Sequence, residues 1–305
     1  MDSDSSLGNL RTEAANAAAA ELDCKSALEI ARVIHAEDRK VPAAVEPALP
    51  QIARAIECIA SALRNGGRLI YVGAGTSGRI AALDATECPP TFDTDPKMVQ
   101  FVMAGGPSAL GKAAEIEEDS RGLGQRDMRR KKPSAKDVVV GITASGRTPY
   151  TLAALEYARS RGATVIVVTC NTGSPVEKLA DILIVVEVGP EVVAGSTRMK
   201  AGTAQKLVLN MLSTGAMMRL GYVYGNLMVN LHLQNKKLEE RGLSILELAA
   251  GVDRPTAQRA LRAAGNSVPA ALVMLKTGCT RAQAQRRLKA AGGNVRQAIE
   301  NGKLA

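Results

Sequence analysis

Five short runs rich in β-branched residues constrain this chain most: LIYV (69–72), VQFVM (99–103), VVVGI (138–142), VIVVT (165–169) and ILIVVEV (182–188). Helical patterns such as 151–159 separate them. Near-continuous apolar strands alternating with helices belong to a parallel sheet buried on both faces. The expected fold is therefore α/β, a three-layer α/β/α sandwich of about five parallel strands. In such sheets ligands sit beyond the carboxyl ends of the strands.

Two of those ends echo each other. The first reads Gly75-Thr76-Ser77-Gly78-Arg79 followed by IAAL, and the second reads Thr143-Ala144-Ser145-Gly146-Arg147-Thr148-Pro149 followed by YTLAAL. Each is a strand, a Ser-Gly-Arg turn and a helix, which puts hydroxyls and unsatisfied backbone N–H groups at a helix N-terminus. One copy alone is equally a well-capped helix. Two copies on strands expected to be neighbours favour anion binding.

The kind of anion can be narrowed. GAGTSG (73–78) fits G-x-G-x-x-G after a strand, but a dinucleotide site needs an acid at the tip of the second strand for the ribose. VQFVM ends in Ala104-Gly105-Gly106, with neither an acid nor an arginine for a 2′-phosphate. A Walker A site fails because no Gly-Lys-Ser/Thr follows. A phosphate held by hydroxyls and amides without a metal remains, as suits a sugar phosphate.

Helices flank the sheet. Residues 27–33 and the spacing Ile52, Ile56, Ile59, Leu63 give helical stripes closed by Asn65-Gly66-Gly67. A long helical stretch is expected from 199 to about 241. Beyond Gly242 the chain turns Ala-, Arg- and Gln-rich, with breaks at Gly251, Gly265, Gly278 and Gly292-Gly293. That reads as a module of three or four short helices. The division is a larger domain over 1–241, with its sheet over about 66–190, and a small helical module over 242–305.

Charge and rare residues exclude several classes. The net charge is +9, yet there is no Trp, with two Phe and five Tyr. Stacking platforms for nucleic acid are thus scarce, and RDMRRKK (126–132) reads as a solvated connector. A small anionic substrate accounts for a positive field as well. No apolar run approaches a membrane span, and Met1-Asp2-Ser3-Asp4 does not open a secretory signal. Five scattered cysteines without C-x-x-C suggest reduced cytoplasmic thiols. His35 and His232, the two histidines, stand in no metal-ligand spacing and read as ordinary helix residues.

The carboxylates add a further constraint. Glu87 precedes Cys88-Pro89-Pro90, so the helix begun near Ser77 is expected to end close to Glu87 in a stiff corner. Beside a phosphate loop, a general acid or base fits there. On a second acidic stretch, Glu115 and Glu118 share a helix face while Glu117 reads as a surface carboxylate.

GAGTSGR with DATECPPTF, VVVGITASGRTPYT, and EVVAGSTRMKAGTAQKLVLNMLSTGAM together resemble the N-acetylmuramic acid 6-phosphate etherases. The likeness extends to TEAAN (12–16) and YGNLMVN (224–230). It implies a sugar isomerase (SIS) domain in a cytoplasmic homodimer that acts on a sugar phosphate without metal, nucleotide or other cofactor. The implied reaction splits the lactyl ether of N-acetylmuramic acid 6-phosphate into N-acetylglucosamine 6-phosphate and D-lactate. Glu87 matches the family's proton donor and Glu118 its second catalytic acid. Ile116 and Glu117 depart from the usual Glu-Gly-Ala-Glu-Asp, and Asn230 stands where Asp is expected. By the same likeness Ser77, Thr143, Ser145 and Thr148 surround the phosphate, with Gly75 and Thr76 in the same turn. Ser196, Thr197 and Lys200 line the sugar end.

Two rival functions share the fold. An aldose–ketose isomerase would want the phosphate loops and a carboxylate, but not the Glu-Cys-Pro-Pro corner. A non-catalytic sugar-phosphate sensor, as in the related glucokinase regulatory protein, could dispense with both acids.

Overall fold

The computed structural model describes residues 10–301 apart from 113, 114, 232 and 234. The chain divides into two compact units. One holds the described residues up to Thr86 with Lys97–Ser213; the other holds Glu87–Pro96 with the described residues from Thr214 onward.

The first unit opens with α1 (Ala27–Asp38), α2 (Lys40–Val45) and α3 (Leu49–Arg64). Ser26 and Glu29 form a capping box on α1, satisfying N-terminal donors reciprocally. Along α3 the stripe Ile52, Ala55, Ile59 and Leu63 is buried, and Gly66 at φ 76° follows its end.

The chain then alternates: β1 (Leu69–Gly73), α4 (Gly75–Phe92), β2 (Val99–Met103), α5 (Glu115–Glu118), α6 (Arg121–Lys131), β3 (Val138–Thr143), α7 (Pro149–Ser160), β4 (Thr164–Thr169), β5 (Ile182–Val185) and α8 (Lys200–Leu220). The five strands are parallel, in the order β2-β1-β3-β4-β5. Every residue of β1 and β3 is buried, whereas edge strand β5 alternates and stops at Val185. One side of the core joins Ile70, Val72, Val139, Val165 and Val167 to Met128, Tyr150 and Leu155.

Three expectations need correction. The helix begun near Ser77 does not end at Glu87: α4 runs to Phe92 with Pro89 and Pro90 inside. Prolines this close to the helix end remove only the two backbone bonds that their own N–H groups would have donated. Asp93, at φ 57°, then donates its N–H to the Pro89 carbonyl at 2.9 Å. RDMRRKK is no connector either. All but Lys132 lies in α6, whose Met128 is buried while Arg126, Arg129 and Arg130 face solvent. Finally, the stretch 199–241 is not one helix, because α8 ends at Leu220 and Gly221 adopts φ 87°. An alanine methyl at Gly221 would overlap Asn294, so the turn needs glycine.

In the second unit, α9 (Lys236–Ala250), α10 (Arg254–Ala263), α11 (Val268–Thr277), α12 (Arg281–Ala290) and α13 (Val295–Glu300) make five helices where three or four were expected. Asn235, Asp253, Ser267, Thr280 and Asn294 each cap one of them by accepting a backbone N–H. Gly242 lies buried within α9, while Gly251 and Gly278 close α9 and α11 in left-handed conformation. Their shared core includes Leu246, Leu261, Val268, Leu272 and Ile299.

Candidate active site

The strand order reverses between β1 and β3, which makes their carboxyl ends the switch point where open α/β sheets bind ligands. Both Ser-Gly-Arg turns leave from there. Gly73, the last residue of β1, pairs with Ile142, and Thr143 ends β3.

The first turn is tightly built. Gly75 takes φ +53°, and a β-carbon there would lie 2.6 Å from Glu118 Oε1. The Glu118 carboxylate therefore rests directly on the glycine turn, bringing together two residues separated by 43 positions. Burial pushes its pKa up; Arg79 opposes that, while Asp119 and Glu115 add to it. Ser77 is 8% exposed, and its Oγ donates to Gln205 Oε1 on α8 at 2.9 Å. Further along α4, buried Asp84 accepts from Tyr71 Oη (2.8 Å), Asn210 Nδ2 (2.8 Å) and Ser213 Oγ (3.0 Å). Asp84 thus ties α4 to β1 and α8, although burial raises its carboxyl despite those bonds.

The second turn holds its hydroxyls together. Thr143 Oγ1 and Thr148 Oγ1 are 3.0 Å apart, Gly146 N donates to Thr143 Oγ1, and Arg147 N donates to Ser145 Oγ. Thr148 is the N-cap of α7 but makes no side-chain cap bond, so the first N–H groups of that helix keep their donor capacity. Gly146 adopts φ +71° against Ser174, leaving no room for a side chain.

A third segment approaches the first turn. A β-carbon on Gly202 would lie 3.3 Å from Thr76 Cγ2 and 3.7 Å from the Thr197 carbonyl. Thr76 and Thr197 are thereby neighbours, and Ser196 and Thr197 are both half-buried. Lys200 points elsewhere. It is 2% exposed, and its Nζ donates to Glu37 Oε2 on α1 at 2.7 Å. Burial alone would raise the Glu37 carboxyl, but hydrogen bonds from Lys200, Lys40 and Asn16 hold it down to about 2. Glu191 accepts from the Lys200 and Ala201 backbone N–H groups, both at 2.9 Å, and so caps α8.

The N-terminal TEAAN segment braces these parts. Thr12, fully buried, accepts from Asn171 Nδ2 at 3.0 Å, and the same amide donates to the Ala144 carbonyl of the second turn at 2.9 Å. Asn16 Nδ2 donates to the Pro190 carbonyl at 3.1 Å.

Glu87 is exposed on the fourth turn of α4, and Glu117 is half-buried where a surface position was expected. His35 is an exposed residue of α1, while His232 lies outside the described residues. Asn230 is half-buried after α8. The sequence reading missed Gln205, Glu191 and Glu37. A signal existed for Gln205: it is a polar residue on the face of α8 that buries Ala201, Val208 and Leu212.

Among the described residues no helix is long and apolar enough to cross a membrane. Residues 51–159 match the family model of the glucokinase regulatory protein N-terminal SIS domain, and residues 124–215 match that of the SIS domain. A phosphoheptose isomerase from Francisella tularensis shares the fold, with a TM-score of 0.50 and 19% identity over 64% of this chain and all of that one. The N-acetylmuramic acid 6-phosphate etherase of Klebsiella aerogenes is 52% identical over 269 residues, 88% of this chain and 90% of that protein. N-acetylmuramic acid 6-phosphate etherase 1 of Vibrio cholerae is equally similar over the same share of both chains. At half identity along nearly its whole length, with an SIS domain whose sheet carries paired Ser-Gly-Arg turns, the chain belongs to the N-acetylmuramic acid 6-phosphate etherase family.

Proposed function

We propose that the chain cleaves the D-lactyl ether of N-acetylmuramic acid 6-phosphate, yielding N-acetylglucosamine 6-phosphate and D-lactate, as a carbon–oxygen lyase of cell-wall sugar recycling. The observation that carries this reading is the Glu118 carboxylate seated on Gly75 at the switch point, where two hydroxyl-rich turns begin helices. Thr143, Ser145 and Thr148 from one turn and Gly75, Thr76 and Ser77 from the other receive the phosphate, which the helix N-termini favour. Ser196 and Thr197 face the sugar. Lys200 takes no part at the sugar, because its ammonium is held in the buried ion pair with Glu37.

The ether oxygen at C3 is a poor leaving group, but the open-chain aldehyde acidifies the proton on C2. Glu118 takes that proton. Electrons from the C2–H bond form the C2–C3 double bond as the C3–O bond breaks. Glu87 protonates the departing lactate oxygen. Water then adds at C3 and a proton returns to C2, so atoms and charge balance. Each carboxylate contributes on the order of 10²- to 10⁴-fold, and burial suits Glu118 to the base role by raising its pKa. Phosphate binding fixes the reacting carbons against them. The enzyme works in the cytoplasm as a homodimer, with an SIS domain over 1–241 and a helical module over 242–305.

Incubating purified protein with N-acetylmuramic acid 6-phosphate and assaying D-lactate tests this reading. Binding without lactate release would favour the sugar-phosphate sensor, the alternative supported by the match of residues 51–159 to the glucokinase regulatory protein model. Conversion to a ketose phosphate would mark an isomerase. Loss of turnover in Glu87→Gln would support its role as proton donor.

A further inference from the structure

The polar side chain that the chemistry above leaves unexplained is Gln205. It lies on the first two turns of α8, is 1% exposed, and accepts the Ser77 hydroxyl proton on Oε1 at 2.9 Å. Its Nε2 has no hydrogen-bond partner among the described residues. Buried amide donors are nearly always paired, so an orphan beside an anion turn points to a ligand-linked role.

A serine hydroxyl has one proton. In the orientation described, that proton goes to Gln205, so Ser77 offers an incoming dianion only lone pairs, which repel it. Turning the amide over exchanges oxygen and nitrogen: Nε2 then donates to Ser77 Oγ, and the serine proton is released toward the anion. The turn is local, because α8 is already pinned to α4 by Gly202 against Thr76 and by the Asn210 and Ser213 bonds to Asp84.

We propose that Gln205 is the positioning residue of the first anion turn, an amide switch that aims the Ser77 hydroxyl at the substrate phosphate. Gln205 acts through Ser77 and does not touch the reacting carbons. The proposal rests on the sugar-phosphate reading of the site.

Inorganic phosphate is the probe, used with the full chain in two ways: competitive inhibition of lactate release, and protection against thermal unfolding. In Gln205→Met, a neutral variant of similar volume, phosphate binds about 10-fold more weakly, the worth of one charge-assisted hydrogen bond. KM rises by a similar factor while kcat stays within about threefold, since the phosphate is remote from the bond broken. In a Ser77→Ala background the same substitution costs less than about twofold, because the two residues act as one unit. A purely structural role would lower the melting temperature and leave the phosphate constant unchanged. Unchanged phosphate affinity in folded Gln205→Met, or fully additive losses in the double variant, overturns the proposal. Should Gln205→Met fail to fold, Gln205→Asn withdraws the amide by one methylene and carries the same comparison. A wild-type protein insensitive to phosphate would overturn the sugar-phosphate reading itself, before any variant is compared.

Discussion

Lys200 shows how the structure changes what a substitution should do. Its likeness to family members puts it at the sugar end, yet its ammonium is held by Glu37, with side-chain exposures of 3% and 4%. Lys200→Met leaves Glu37 buried with Lys40 at 2.5 Å and Asn16 as remaining partners. The fall of the Glu37 carboxyl from an ordinary 4.5 to about 2, at about 1.36 kcal/mol per pH unit, is worth roughly 3 kcal/mol at pH 7. Breaking a buried pair from one side typically costs about 3–5 kcal/mol. Because Lys40 stays, we expect a loss of about 2–3 kcal/mol at pH 7. A depressed carboxyl stabilises the fold fully above its unfolded value and progressively less as pH falls toward its folded value. At pH 3.5 the wild-type contribution is down to about 2 kcal/mol, so the gap between the proteins narrows by about 1 kcal/mol. Urea denaturation of both proteins at the two pH values measures this, and KM should change by less than about threefold. A loss below about 0.5 kcal/mol, or a gap that widens on acidification, refutes the reasoning.

Three further outcomes follow from the same geometry. Arg79→Gln removes the cation that opposes burial at Glu118, so the Glu118 pKa rises further; with Glu118 as base, the acidic limb of kcat/KM moves to higher pH. Gly75→Ala forces a side chain into φ +53° and against Glu118 Oε1, costing about 1 kcal/mol or more in thermal denaturation and lowering kcat more than stability alone explains. Thr12→Val leaves one Asn171 donor unpaired beside Ala144; a destabilisation of about 1–2 kcal/mol is expected by denaturant titration, whereas Thr12→Ser should restore most of it.

The sheet was legible because fully buried strands need no polar alternation. Runs such as 138–142 therefore stand out, and the repeated Ser-Gly-Arg turns follow the carboxyl ends of β1 and β3. Edge strand β5 was overextended to 188 because apolar residues continue past its last paired residue, Val185, with only the Val186 N–H still reaching Thr169 on β4. Local rules failed where the outcome depended on position within an element. Pro89 and Pro90 fall where α4 is ending anyway, and the stretch 199–241 breaks at Gly221, whose φ of 87° leaves the helix where Asn294 allows no side chain. Motif likeness singled out Ser77, Thr143 and Glu118 as candidates, but pairings over long sequence separations stayed hidden. Gln205 is 128 positions from Ser77, and Lys200 is 163 from Glu37. No local pattern encodes which buried acid a lysine will reach.

The most direct test of the two-carboxylate elimination is mass spectrometry of products formed from N-acetylmuramic acid 6-phosphate in oxygen-18 water. Elimination followed by water addition at C3 predicts one heavy oxygen in N-acetylglucosamine 6-phosphate and none in D-lactate. Heavy oxygen in the lactate, with an unlabelled sugar, would mean cleavage on the lactyl side and would contradict the account.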